Sequence, residues 1–153
     1  MRVPIVRYTG LALSALFLSA VPKATRSTQG KPPAVAGISL GMSAAEVRVA
    51  LGGPVVQQTS LGMRFWEYRA QGITVIWRED WPGTHGIVVS KRIAGEMNGV
   101  RVGDAARDIS SHWGPPARIR QSGRFLDFSG NSWTISAEIA GGRVVEITLL
   151  AAR

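Results

Sequence analysis

Any chemistry in this chain of 153 residues has to start from two histidines, His85 and His112. Neither stands in an HxxxH or HExxH spacing, so a helical two-histidine zinc site is excluded. The segment Glu79-Asp80-Trp81-Pro82-Gly83-Thr84-His85 puts two carboxylates and an imidazole within seven residues. Converging in a cleft, they would serve a small hydrolase or a metal-dependent enzyme that uses His85 with Glu79 or Asp80. Splayed apart, they are a solvated hairpin loop with a tucked Trp81, and such loops on rigid scaffolds often make contacts. Asp108 and His112 lie four apart, the spacing of a surface pair on a helix. A relay through Ser110 or Ser111 would need a nucleophile elbow, and no Gly-x-Ser-x-Gly occurs. No Gly-x-x-x-x-Gly-Lys occurs either. The chain has no cysteine, which removes disulfides, thiolate catalysis, cysteine-bound zinc and lipid attachment through an N-terminal cysteine. No residue is expected to be catalytic or to ligate a metal, and no cofactor is expected.

The elements that position these residues begin after an address label. Met1–Arg7 carries two arginines, and Tyr8–Val21 follows without a charge and rich in Leu and Ala. This reads as a secretory signal peptide over residues 1–24, with an uncleaved anchor as the rival reading; its apolar part is too short to span a bilayer comfortably. Residues 25–36, polar and carrying Pro32-Pro33, read as a linker. The formal charge of +8 is concentrated at the start, where Arg2, Arg7, Lys23 and Arg26 meet no acid. Residues 31–153 carry fourteen basic against ten acidic side chains, a mild excess of four. No basic run is interleaved with stacking aromatics, so the charge does not point to nucleic acid.

The remainder reads as two copies of one unit, residues 37–95 and 96–153. Gly37-Ile38-Ser39-Leu40-Gly41-Met42 returns as Gly99-Val100-Arg101-Val102-Gly103-Asp104, and Arg64-Phe65-Trp66-Glu67-Tyr68 as Arg124-Phe125-Leu126-Asp127-Phe128. Each copy predicts a short helix, Ala44–Leu51 and Ala105–Trp113. Ser43 and Glu46 form a capping box on the first, and Asp104 caps the second. Gly52-Gly53-Pro54 and Gly114-Pro115 end them. Three strands follow in each: Arg64–Arg69, Ile73–Arg78 and Gly86–Ile93, then Arg124–Ser129, Ser132–Glu138 and Arg143–Leu150. The expected fold is α+β: two tandem helix-plus-three-stranded antiparallel repeats sharing one sheet, with helices on one face.

Alternation assigns the faces. Trp66, Tyr68, Ile73, Val75, Trp77, Val89 and Ile93, with Leu126, Phe128, Trp133, Ile135, Ala137, Val145 and Leu149, point toward the helices. The other face is half open to water. It carries Phe65, Glu67, Ile76, Arg78, Val88 and Arg92 in the first copy, and Phe125, Asp127, Glu138, Val144 and Glu146 in the second. Its charges predict one weakly positive end and one negative end. Phe65 and Phe125 stand at equivalent spots among them, either as contact residues or beneath a crossing loop. The candidate protein-binding residues are therefore Phe65, Glu67, Arg78, Trp81, His85, Arg92, Phe125, Asp127 and Glu138.

The stretch Gly37 to Pro54, Gly-Ile-Ser-Leu-Gly-Met-Ser-Ala-Ala-Glu-Val…Leu-Gly-Gly-Pro, resembles the opening signature of the SmpA/OmlA-type outer-membrane assembly lipoproteins. The tandem arrangement resembles the β-lactamase inhibitory proteins, which bind an enzyme on a concave sheet face. The resemblance covers Gly37 to Leu150 and carries no catalytic residue. The lipidated cysteine of the first group and the bracing cysteines of the second are both missing. The resemblance implies a non-enzymatic periplasmic or secreted protein whose partner is another envelope or secreted protein. No transmembrane segment would remain after removal of the signal.

Overall fold

The computed structural model describes residues 32–152; the predicted signal peptide and residues 25–31 of the predicted linker lie outside them. The chain runs β1 (Ala34–Val35), β2 (Ile38–Ser39), α1 (Ala44–Leu51), β3 (Val56–Ser60), β4 (Met63–Tyr68), β5 (Ile73–Arg78) and β6 (Thr84–Val89). It continues through α2 (Ile109–Trp113), β7 (Arg118–Arg120), β8 (Phe125–Ser129), β9 (Trp133–Ala140) and β10 (Arg143–Ala151). Eight strands form one antiparallel sheet in the order β3-β4-β5-β6-β10-β9-β8-β7, and β1 and β2 form a separate hairpin. No helix among the described residues is long and apolar enough to cross a membrane.

This overturns the α+β reading of two helix-plus-three-strand repeats. The protein is mostly β, with two short helices and four sheet strands in each half. The strands absent from the sequence reading are the two edges. β3 reads Val-Gln-Gln-Thr-Ser and β7 reads Arg-Ile-Arg, and apart from Val56 and Arg120 their residues are exposed. An edge strand with no deep apolar side gives little periodic signal, and polar side chains there discourage pairing with a second chain.

Helix α1 forms where local chemistry dictates. The Glu46 amide donates to Ser43 Oγ at 3.3 Å, and the Ser43 amide donates to Glu46 Oε2 at 2.7 Å. Gly52, at φ +82°, closes the helix, and the Tyr68 hydroxyl donates to its carbonyl at 3.1 Å. The second helix is shorter than predicted. Residues 106–108 form a 3-10 turn, and α2 has five residues and no side-chain cap. Asp104 does not cap it. Its carboxylate takes the Arg101 amide at 2.9 Å and the Arg92 guanidinium at 2.7 Å, bracing the preceding turn. Ala105 and Asp108 stand where Ser43 and Glu46 stand in the first half, so without a hydroxyl at the cap position the reciprocal bond that fixes α1 has no counterpart.

The core lies on one side of the sheet. Trp66, Tyr68, Ile73, Val75, Trp77, Ile87 and Val89 meet Phe128, Trp133, Ile135, Ala137, Ile147 and Leu149 in a single row-by-row layer. The β1–β2 hairpin, α1, α2 and the Met97–Val100 bridge cover it with Val35, Ile38, Val47, Met97, Val100, Ile109 and Trp113. Val35 is 2% exposed, so the chain already packs within the span read as linker. Two inward assignments fail. Ile93 lies in a 3-10 turn and is 78% exposed. Val145 is the extra residue of a β-bulge, which turns Val144 inward in its place.

The same bolt closes each half. The Gly41 amide donates to the Thr84 carbonyl and the Thr84 amide to the Met42 carbonyl, both at 2.8 Å. In the other half the Gly103 amide donates to the Val144 carbonyl at 2.7 Å, and the Val144 amide to the Asp104 carbonyl at 2.9 Å. Each bolt sits immediately before a register shift, at His85 in β6 and at Val145 in β10.

Candidate functional site

The face opposite the core carries half-buried and exposed side chains across all eight strands. Register turns it into rows. The middle row is Val56, Glu67, Thr74, Val88, Thr148, Ser136, Asp127 and Arg118. On one flank Gln58, Phe65, Ile76, Gly86, Leu150 and Thr134 stand opposite one another in turn. Gly86 is there for close approach. A Cβ at that position would lie 2.7 Å from Leu150 Cδ2 and 3.3 Å from Ile76 Cδ1, so these two side chains close over it. The result is an apolar stripe of Phe65, Ile76 and Leu150 on a face half open to water.

On the other flank the row is Arg120, Phe125, Glu138 and Glu146. Arg120 and Arg124 stack against the Phe125 ring, with guanidinium carbons 4.8 and 5.3 Å from its centroid. Arg120 holds Asp127 through two hydrogen bonds, at 2.6 and 2.9 Å. Those bonds keep the Asp127 carboxyl below the usual carboxylate range. Arg124 reaches Glu138 at 2.7 Å. Glu146 makes no ion pair among the described residues. Burial first, and the facing Glu138 carboxylate second, push its pKa up.

The expected contrast between a positive and a negative end is therefore largely absent. Arginines from β7 and from the turn before β8 pair Asp127 and Glu138, and Glu146 is left as the acid of this face in the second half with no ion pair among the described residues. In the first half Glu67 bonds Arg69 at 3.0 Å, and Arg78 grips Asp80 at 2.7 and 2.9 Å. The alternating Arg-Ile-Arg of β7 was the available signal, too short to read as a strand without its partner.

Of the nine predicted contact residues, Phe65, Glu67, Arg78, Phe125, Asp127 and Glu138 lie on this face. His85 is at the bulge of β6 and, with Met63, Arg78, Glu79 and Asp80, lines a shallow depression at the end of the sheet. Trp81 packs edge-on against His85, ring centroids 5.3 Å apart. Arg92 is displaced. Its 3-10 turn takes it off the sheet, and its guanidinium holds Asp104 at 2.7 Å and the Val102 carbonyl at 3.2 Å. Among the described residues no three His, Asp or Glu side chains are grouped to hold a metal ion.

No protein family matches this chain, and no curated protein does. Solved structures are similar to it. One is a cysteine-rich secretory protein from Staphylococcus aureus, at 10% identity and a TM-score of 0.57, over 80% of this chain and 48% of that one. Another is an extracellular protein containing an SCP domain from Bacillus anthracis, at 8% identity and 0.47, over 72% and 43%. A third is a DUF4309 family protein from Bacillus subtilis, at 11% identity and 0.47, over 71% and 78%. The chain spans less than half the length of the first two. At this identity the likeness to the Staphylococcus protein is one of fold.

Proposed function

We propose that this is an exported, non-enzymatic protein that binds another protein through the open face of its sheet, as an envelope-assembly or inhibitor-like module. The observation that carries the reading is the stripe of Phe65, Ile76 and Leu150, closed over Gly86 on a face that is half open to water. Contiguous apolar surface ringed by polar groups is the usual form of a contact site. The resemblance of Gly37–Pro54 to outer-membrane assembly subunits supports the same role. Export is supported by the charged and apolar pattern of the first 21 residues and by a fold shared with a secretory protein.

The competing reading is a small hydrolase that uses His85 with Glu79 or Asp80. All three line one depression, which favours it. Against it, both Asp80 oxygens are engaged by Arg78.

Cross-linking in the native envelope, followed by capture, tests the binding role. A defined partner is expected on the wild-type protein and is lost from Phe65→Ala plus Phe125→Ala with circular dichroism unchanged. Equal capture by both would sink the proposal. Export is checked by fractionating cells and reading the mature N-terminus; a cytoplasmic chain that begins at Met1 contradicts it.

A further inference from the structure

Most arginines among the described residues have a carboxylate. Arg69, Arg78, Arg92, Arg101, Arg107, Arg120 and Arg124 each make an ion pair. Arg48 and Arg64 make none among the described residues, and both guanidiniums lie near the Trp66 ring. The Arg48 guanidinium lies 4.8 Å from the Trp66 centroid, and that of Arg64 lies 5.9 Å from Trp66 and 5.4 Å from Trp77. The two indoles pack at 4.4 Å and are buried, so the platform beneath the cations is fixed. Stacking engages the flat face of a guanidinium and leaves its N–H edge free to donate.

The surroundings add donors. Register sets Gln57 opposite Trp66 and Thr59 opposite Arg64, and both are exposed edge-strand residues. Arg64, Thr59 and Trp77 line a depression of about 240 Å³. The indole N–H groups of Trp66 and Trp77 are buried without a hydrogen-bond partner among the described residues. Two carboxylates are near. Glu46 is held by its capping box, and Glu79 lines the same depression together with Arg78, whose own guanidinium is held by Asp80. The other half offers no equivalent: Arg124 is bound to Glu138, and Leu126 stands where Trp66 does.

We propose that Arg48 and Arg64, stacked on Trp66 and flanked by Gln57 and Thr59, form a binding site for a phosphate-type oxyanion. Two guanidinium edges beside neutral donors match the several oxygens of such a group, and Arg–phosphate contacts are among the stronger charge-assisted hydrogen bonds. The site lies on the helix side of the sheet, away from the proposed protein-binding face. Free phosphate compounds and the phosphodiester of a lipid headgroup share this chemistry.

The test uses the purified protein with two probes: inorganic pyrophosphate, followed by tryptophan emission, and vesicles of phosphatidylglycerol compared with pure phosphatidylcholine. The expected result is a saturable, salt-sensitive response to at least one probe. Arg48→Gln plus Arg64→Gln should weaken it about a hundredfold, at about tenfold per lost charged contact. Arg107→Gln plus Arg118→Gln, with the same loss of net charge, should leave it within about twofold, as expected for distant exposed charges. A response to phosphatidylglycerol vesicles alone assigns the site to a lipid headgroup, and a response to pyrophosphate assigns it to a soluble phosphate. No response to either probe, or equal losses in the two double variants, overturns the proposal.

Discussion

Phe65 and Phe125 hold matching places in opposite halves of one sheet, and their neighbours differ completely. Phe65 is followed across the strands by Ile76, Gly86 and Leu150; Phe125 is followed by Glu138 and Glu146. The first ring joins an apolar stripe. The second lies against two guanidiniums that also hold Asp127 and Glu138. The same backbone frame thus presents a sticky flank and a charged flank on either side of a row rich in threonine, valine and serine. In general an apolar centre supplies the binding energy, and a fixed charge pattern supplies orientation and partner choice. A second contrast lies beneath the face. The Glu79–His85 loop and the Ala140-Gly141-Gly142 turn are bolted at the same point, yet only in the former would a Cβ added to a glycine strike facing backbone.

That second contrast yields the largest expected effect. A Cβ on Gly83 would lie 2.2 Å from the Gly41 carbonyl oxygen, at φ +76°; one on Gly141, at φ +56°, meets nothing within 4 Å. Gly83→Ala should cost about 3 kcal/mol or more of unfolding free energy in urea, and Gly141→Ala about 1 kcal/mol. Similar losses would show that the two closures are alike. Next come the rings themselves. Phe65→Ala should weaken partner capture by about 2 kcal/mol, roughly thirtyfold, and Phe125→Ala by less than about 1 kcal/mol, measured on the captured partner. The reverse order would move the anchor to the charged flank.

The two smaller effects concern acids of the charged flank and have opposite signs with pH. Asp127 has a lowered pKa, so its stabilisation is present above the ordinary carboxylate pKa and is lost as pH falls through the folded value. Asp127→Asn should cost about 1 kcal/mol at neutral pH and almost nothing in strong acid. Glu146 has a raised pKa, so the folded state is favoured below the ordinary value and disfavoured as pH rises through the folded one. Glu146→Gln should therefore stabilise by about 0.5 kcal/mol at neutral pH, with the gain vanishing in acid, read from thermal melts across pH. A destabilised variant at neutral pH would show that the Thr148 hydrogen bond to the Glu146 carboxylate outweighs burial and the Glu138 repulsion.

Short-range interactions made α1 legible. Ser43, Glu46 and Gly52 act within one turn of the helix they bound, and it spans Ala44–Leu51 as predicted. The six inner strands were visible because alternation records burial on one side. The edges were not, since β3 and β7 bury too little to alternate, and the count of three strands per half failed with them. The bulge at Val145 was invisible for a different reason. One extra residue reverses the parity of the chain before it, so a correct alternation misplaced Val144 and Val145 together. Counting acids on the face missed the arginines that pair Asp127 and Glu138, because Arg120 and Arg124 belong to β7 and the turn before β8.

What the sequence determined unaided is whatever depends on neighbours a few residues away: the capped helix, the inward tryptophans of β4, β5 and β9, and the lack of thiol chemistry. What tertiary structure decided is whatever depends on register. It ordered eight strands into one sheet, set Gly86 beneath Ile76 and Leu150, and stacked Arg48 from a helix beside Arg64 from a strand on one indole. Those contacts join residues far apart in the chain, and the free energy that selects them comes from the whole core rather than from any segment.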